Sequence, residues 1–166
     1  MSDHFLDIKK LLDYLNNNYA YVVVKSDSPY VPDNFPDTYP IGKDLDILCH
    51  APDLSNILQF IVENYDSVAN KNNFKTRMVS EHYGFRYRCE QRTITNALHY
   101  QIDVSFHLND TSPSFSKQII ENREFNGKYY IPSELHEIML RSYYYSRKPN
   151  KTWHAKWIEN KIKSVV

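Results

Sequence analysis

With 166 residues, a formal net charge of zero and 42% hydrophobic content, the chain has the makings of one ordinary hydrophobic core. Three glycines in all exclude a P-loop or a dinucleotide fingerprint, and the absence of a charge excess argues against bulk nucleic-acid binding, which rests on many unopposed cations. No apolar run reaches membrane-spanning length, charged residues break up the start where a signal peptide would stand, and the chain reads as cytoplasmic.

In chain order, Phe5, Ile8, Leu12 and Leu15 recur at helical spacing and predict an amphipathic helix over 3–15, stopped by the asparagines at 16–18. A strand over 19–25 follows, its Val22-Val23-Val24 run fit for burial on both faces. Residues 26–43 hold four of the eight prolines and read as a long stiffened loop, a kind of segment that is usually functional or disordered. Its tyrosines and Phe35 argue against disorder. A short acidic strand over 44–49 leads through Ala51-Pro52-Asp53 into a second helix with the stripe Leu54, Ile57, Leu58, Ile61 and Tyr65. A polar turn is expected over 70–73.

Two further strands are expected to pair as a hairpin, one over 75–89 with a break near Gly84, the other over 98–108. In the second, Leu98, Tyr100, Ile102, Val104 and Phe106 alternate with His99, Gln101, Asp103, Ser105 and His107. The remainder reads as helical: Ser133 caps a segment with Leu135, Ile138 and Met139, and residues 152–165 carry Trp153, Trp157 and Ile158. This order predicts an α+β fold, a small mixed β-sheet flanked by helices with a helical C-terminal part. The expected organisation is a single domain over 1–166, with its core at about 19–108 and a helical extension at about 113–166.

The residues that carry chemistry begin with Gly42-Lys43-Asp44-Leu45-Asp46-Ile47-Leu48. Strand side chains two apart share a face, so Asp44 and Asp46 project together while Leu45 and Ile47 face the core. Paired carboxylates repel unless a cation neutralises them, and a hard divalent ion, Mg²⁺ or Mn²⁺, suits oxygen donors. Alone, a D-x-D pair at a strand edge is also a common accident. Asp103 adds a third acid on the polar face of an apolar strand; if that strand lies beside 44–49, three carboxylates converge. Two metals held that way would activate an attacking hydroxyl and stabilise the leaving pyrophosphate in an in-line displacement, with Asp103 on one of them.

These residues resemble the nucleotidyltransferase fold of the DNA polymerase beta superfamily. The likeness covers about 19–108: the strand at Tyr21–Val24, the acidic strand, the helix after it and Gln101-Ile102-Asp103-Val104. It implies that Asp44, Asp46 and Asp103 are the metal-holding and catalytic triad. It further implies that a nucleoside monophosphate passes from a nucleoside triphosphate to a hydroxyl or phosphate acceptor. The long loop before G-x-D-x-D is similar to small members associated with surface-polysaccharide synthesis. Where the family carries Gly-Ser after the first strand, this chain has Lys25-Ser26-Asp27-Ser28, so Lys25 and Ser26 are the candidate phosphate contacts there.

Lys43, Arg86 and Arg88 are further candidates for binding the nucleotide, with Arg77 and Arg92 nearby; the same arginines also suit the solvent face of an antiparallel sheet. His99 and His107 flank Asp103 on its face, and His50 follows the acidic strand. From Arg141 onward, seven basic residues (Arg141, Arg147, Lys148, Lys151, Lys156, Lys161 and Lys163) face only Glu159, either as a phosphate-binding surface with His154 or as solvated helix faces. Tyr143-Tyr144-Tyr145 reads as helix packing, and Cys49 and Cys89 as buried free thiols. Two other functions fit the acids: a noncatalytic binding protein on the same fold, or a metal-dependent nuclease, whose E-x-K partner is approached only by Glu90-Gln91-Arg92.

Overall fold

The computed structural model describes residues 7–68 and 73–165, which form a five-stranded mixed sheet flanked by five helices, with a separate hairpin of two short strands. Helix α1 (Ile8–Asn18) starts where the Asp7 side chain accepts the Lys10 amide at 2.9 Å. It buries Ile8, Leu11, Leu12 and Leu15; Phe5, placed in this helix by the sequence pattern, lies outside the described residues. The helix ends within the asparagine run, at Asn18, where Asn17 and Asn18 donate back to the carbonyls of Asp13 and Tyr14 in the last turn.

Strand β1 (Tyr21–Val24) is buried along its whole length. Tyr21 and Val23 enter the larger core, together with α1, while Val22 and Val24 enter a second cluster on the opposite face. Antiparallel to β1 runs β2 (Asp44–Cys49), which leads through a 3₁₀ turn at Ala51–Asp53 into α2 (Leu54–Val68). Ile57, Leu58 and Ile61 of α2 join the larger core, with Leu54 packed against it; the Tyr65 side chain is outside the described part, as is most of the expected turn at 70–73.

The expected strand over 75–89 is two strands. β3 (Phe74–Glu81) and β4 (Arg86–Thr93) are antiparallel neighbours, and β5 (Leu98–Ser105) follows as the third strand of a meander. The reversal lies at His82, Tyr83 and Gly84, three consecutive residues with φ of 49°, 57° and 87°. Only the glycine takes that conformation without steric cost. The sheet order is β1-β2-β5-β4-β3, and β2 and β5 are its parallel pair.

The C-terminal part is not all helix. Between α3 (Pro113–Glu121) and α4 (Glu134–Arg147) stands a hairpin of β6 (Glu124–Phe125) and β7 (Tyr130–Ile131), and α5 (Trp153–Val165) ends the described chain. Ser133 caps α4 as expected, its hydroxyl accepting the His136 amide. The buried face of α4 is not the Leu135–Met139 side, however. Those two are 66% and 43% exposed, and His136, Leu140 and Arg141 are buried instead.

Arg141 explains that choice. Its guanidinium bonds Glu137 at 2.7 Å, Asp27 in the proline-rich loop, and Nδ1 of His154 on α5 at 3.2 Å, so one buried cation joins α4, α5 and the loop. Removing one partner of a buried ion pair strands the other. Arg141→Ala is therefore expected to destabilise the protein by ~3–5 kcal/mol, read as a lowered denaturation midpoint; a change under ~1 kcal/mol would contradict the clamp.

Among the described residues, no helix is long and apolar enough to cross a membrane. Cys49 and Cys89 are free and buried, and burial pushes both thiols up to about 12.

Candidate active site

Register alone assembles the acids. β2 and β5 run parallel with Asp44 opposite Gln101 and Asp46 opposite Asp103, and paired residues of neighbouring strands point to one face. Carboxylate oxygens of Asp44, Asp46 and Asp103 lie within 4.8 Å of one another, a cluster that could hold a metal ion. On the other face Leu45, Ile47, Ile102 and Val104 sink into the larger core and fix both strands. The proline-rich loop holds the start of β2: Tyr30 and Tyr39 donate their hydroxyls to the Asp44 carbonyl, while Phe35 and Tyr39 are buried in the core.

Asp103 is the most enclosed of the three, 2% exposed, with Gln101 Nε2 donating to both its oxygens at 3.1 and 3.2 Å. Burial, and then the neighbouring Asp46 charge, push its carboxyl up to about 7, against the opposing pull of Arg86. Asp46 has a different partner. Lys25 Nζ lies 2.6 Å from its Oδ2 and 5.0 Å from the centre of the Tyr144 ring. Burial alone would lower the Lys25 pKa, but Asp46, Tyr144 and Asp44 together hold the ammonium above the usual lysine value. Lys25 stands just past β1 with φ 58°, where the chain turns into the loop.

The other sequence candidates separate into two groups. Arg86 lines the cleft beside Asp46 and reaches 3.9 Å from Asp103 Oδ2, although Glu81 holds its Nε and Nη2. Arg88 forms ion pairs with Glu81 and Glu90, at 3.1 and 2.7 Å, and is not among the cleft-lining residues. Arg77 and Arg92 also flank the fully buried Glu90, which is therefore a structural anion in a belt of arginines. Lys43 is exposed over the Tyr30 ring, and Ser26 is half-buried. His99 is buried against Phe74 and Tyr100; His107 lines the cleft with its ring 4.6 Å from that of Phe85; His50 lines a neighbouring groove.

The cleft, of about 450 Å³, has Asp46 on one side and the break between α4 and α5 on the other. From that break come Arg147, Lys148, Lys151 and His154, with Tyr143 and Tyr144 beside them. Arg147 is tied to Asp110 at 2.7 Å. Burial, then Lys148 and Lys25, push the Lys151 ammonium down, as expected where cations crowd. Burial, then Arg141, push His154 down to about 4, and its Nδ1 accepts from Arg141, so the ring is neutral. Lys156 is not among the cleft-lining residues. The run Arg147-Lys148-Pro149-Asn150-Lys151 marks this wall in the sequence only as a basic helix break.

No family model matches the chain, and no curated protein does. Two solved structures, both from Helicobacter pylori, share a low likeness: JHP933 and a protein described as a "putative nucleotidyltransferase", each with a TM-score of 0.44 and 14% identity over 81% of this chain. The chain spans about half of each of those proteins, 52% and 54%.

Asp103 gives the cluster a signature in stability. Its folded pKa is raised, so between about pH 4 and 7 the folded protein keeps a proton that the unfolded chain releases, and stability falls as pH rises through that window. In EDTA, Asp103→Asn is expected to flatten this slope and to stabilise the protein at pH 7.5 by on the order of 2–4 kcal/mol. Denaturation midpoints at pH 5 and 7.5 decide it, and a variant no more stable than wild type at pH 7.5 would show that the carboxylates do not strain one another.

Proposed function

We propose that this chain is a nucleotidyltransferase that moves a nucleoside monophosphate from a nucleoside triphosphate to a hydroxyl or phosphate acceptor. The observation that carries the reading is the meeting of Asp44, Asp46 and Asp103 on adjacent parallel strands, beside a cleft whose far wall is cationic. Oxygen donors alone make the cluster, and they fit Mg²⁺ or Mn²⁺ better than a soft metal. A divalent ion held there would polarise the phosphoryl group and the attacking oxygen.

The chain's own residues supply the rest. Lys148 and Lys151, with no carboxylate bonded to them among the described residues, neutralise the triphosphate from the α4–α5 break. Arg86 and Arg147 add charge from either side while Glu81 and Asp110 hold them in place. Lys25 lines the same cleft, and Arg88 stiffens the sheet behind Arg86 through the shared Glu81. Asp103, enclosed and close to the other two acids, takes the proton from the acceptor hydroxyl as it attacks the α-phosphorus and pyrophosphate leaves. The narrower likeness to polysaccharide-associated members makes sugar phosphates the first acceptors to try.

A noncatalytic binding protein on this fold is the second reading, favoured by the ammonium of Lys25 already seated on Asp46. A nuclease draws less support, since Glu90 is consumed by arginines and adds no fourth carboxylate to the cluster.

With radiolabelled triphosphates and a panel of sugar phosphates, Asp44→Asn, Asp46→Asn and Asp103→Asn are each expected to cut nucleotidyl transfer at least ~100-fold while remaining folded. Lys148→Gln with Lys151→Gln should instead raise KM for the triphosphate by about tenfold, the loss of one or two charge-assisted contacts. Full activity in all three aspartate variants would exclude the triad.

A further inference from the structure

We infer that Lys25 is a permanent counter-ion of this site, standing where a second metal would bind, so that the carboxylates hold one divalent ion and not two. The inference rests on the metal-dependent reading above and goes beyond it in fixing the number of ions.

Charge and geometry both lead there. Three carboxylates share a space in which their oxygens are within 4.8 Å of one another. The Lys25 ammonium occupies Oδ2 of Asp46 at 2.6 Å, and its side chain is only 18% exposed. A carboxylate bridges two metal ions by giving one oxygen to each; with an ammonium seated on Oδ2, a second ion at that oxygen would stand against a like charge. With all three carboxylates ionised, as metal ligation requires, the charge left after Lys25 is two negative units, that of one divalent ion. Arg86 does not alter the count, because its nearest nitrogen is 3.9 Å from Asp103 and two others are bonded to Glu81.

Lys25 is not a surface lysine that has strayed inward. Its backbone sits at φ 58°, at the edge of β1, whose four residues are all buried. Its ammonium rests over the ring of Tyr144. The strand end therefore delivers the side chain into the cluster, and the aromatic face favours a cation there.

Mn²⁺ alone tests the count, through equilibrium binding stoichiometry and the spin coupling between two nearby ions in electron paramagnetic resonance. Wild type is expected to bind one Mn²⁺ per chain with an uncoupled spectrum, and Lys25→Met to bind two that are spin-coupled. Lys25→Gly, which suits the positive φ, guards against misfolding of the first variant and should behave likewise; Lys25→Arg should stay at one. Two coupled ions in wild type, or one in both Lys25→Met and Lys25→Gly, would overturn the inference while leaving the metal site intact. Binding only after Lys25 is replaced would also overturn it, showing the ammonium to seal the site. No binding in any form would remove the metal reading itself, and the inference with it.

Discussion

Everything at the cleft depends on one register: Asp46 of β2 beside Asp103 of β5 in a parallel pair. A slip of one residue between them would turn the acids of one strand into the core and its apolar side chains out, so the apolar side of the two strands enforces the polar side. The cost is concentrated charge. Like carboxylates in a half-buried space repel, and the fold tolerates them through Lys25 on Asp46 and Gln101 on Asp103.

The same logic extends outward. Glu81 and Glu90 are surrounded by Arg77, Arg86, Arg88 and Arg92, which keeps the sheet's polar face rigid with few free charges. Arg141 does the corresponding work behind the cleft, tying α4 and α5 to the loop and so setting where Lys148 and Lys151 emerge. Acidic strands and basic helix break thus both line the cleft by construction, which is the ground for the proposal that a polyphosphate binds there.

Much of this was legible in the residues and some was not. The acid-bearing faces of 44–49 and 98–108 follow from strand periodicity, as does the double-sided burial of Val22-Val23-Val24. Their adjacency does not, because parallel pairing is non-local and leaves no local mark in the sequence. The break near Gly84 was legible, but its being a full reversal was hidden by strand-like residues on both sides and by two non-glycine residues in the left-handed region. The phase of α4 was misleading for another reason: its buried face carries His136 and Arg141, while Leu135 and Met139 look outward, contrary to the usual order of burial. Lys25 stood out as a lysine where a phosphate-binding turn was expected, yet only the structure places its ammonium on Asp46.

The central claim is that the carboxylate cluster and the cationic wall bind a nucleoside triphosphate together with a divalent ion. Thermal melting of wild type and Asp46→Asn against each of the four nucleoside triphosphates, in Mg²⁺, Mn²⁺ or EDTA, tests it most directly, since a ligand that binds only the folded state raises the melting temperature. The account predicts a rise with at least one triphosphate in wild type, present with metal, lost in EDTA and absent in Asp46→Asn. No rise with any triphosphate, or a rise that survives both EDTA and the substitution, would contradict it.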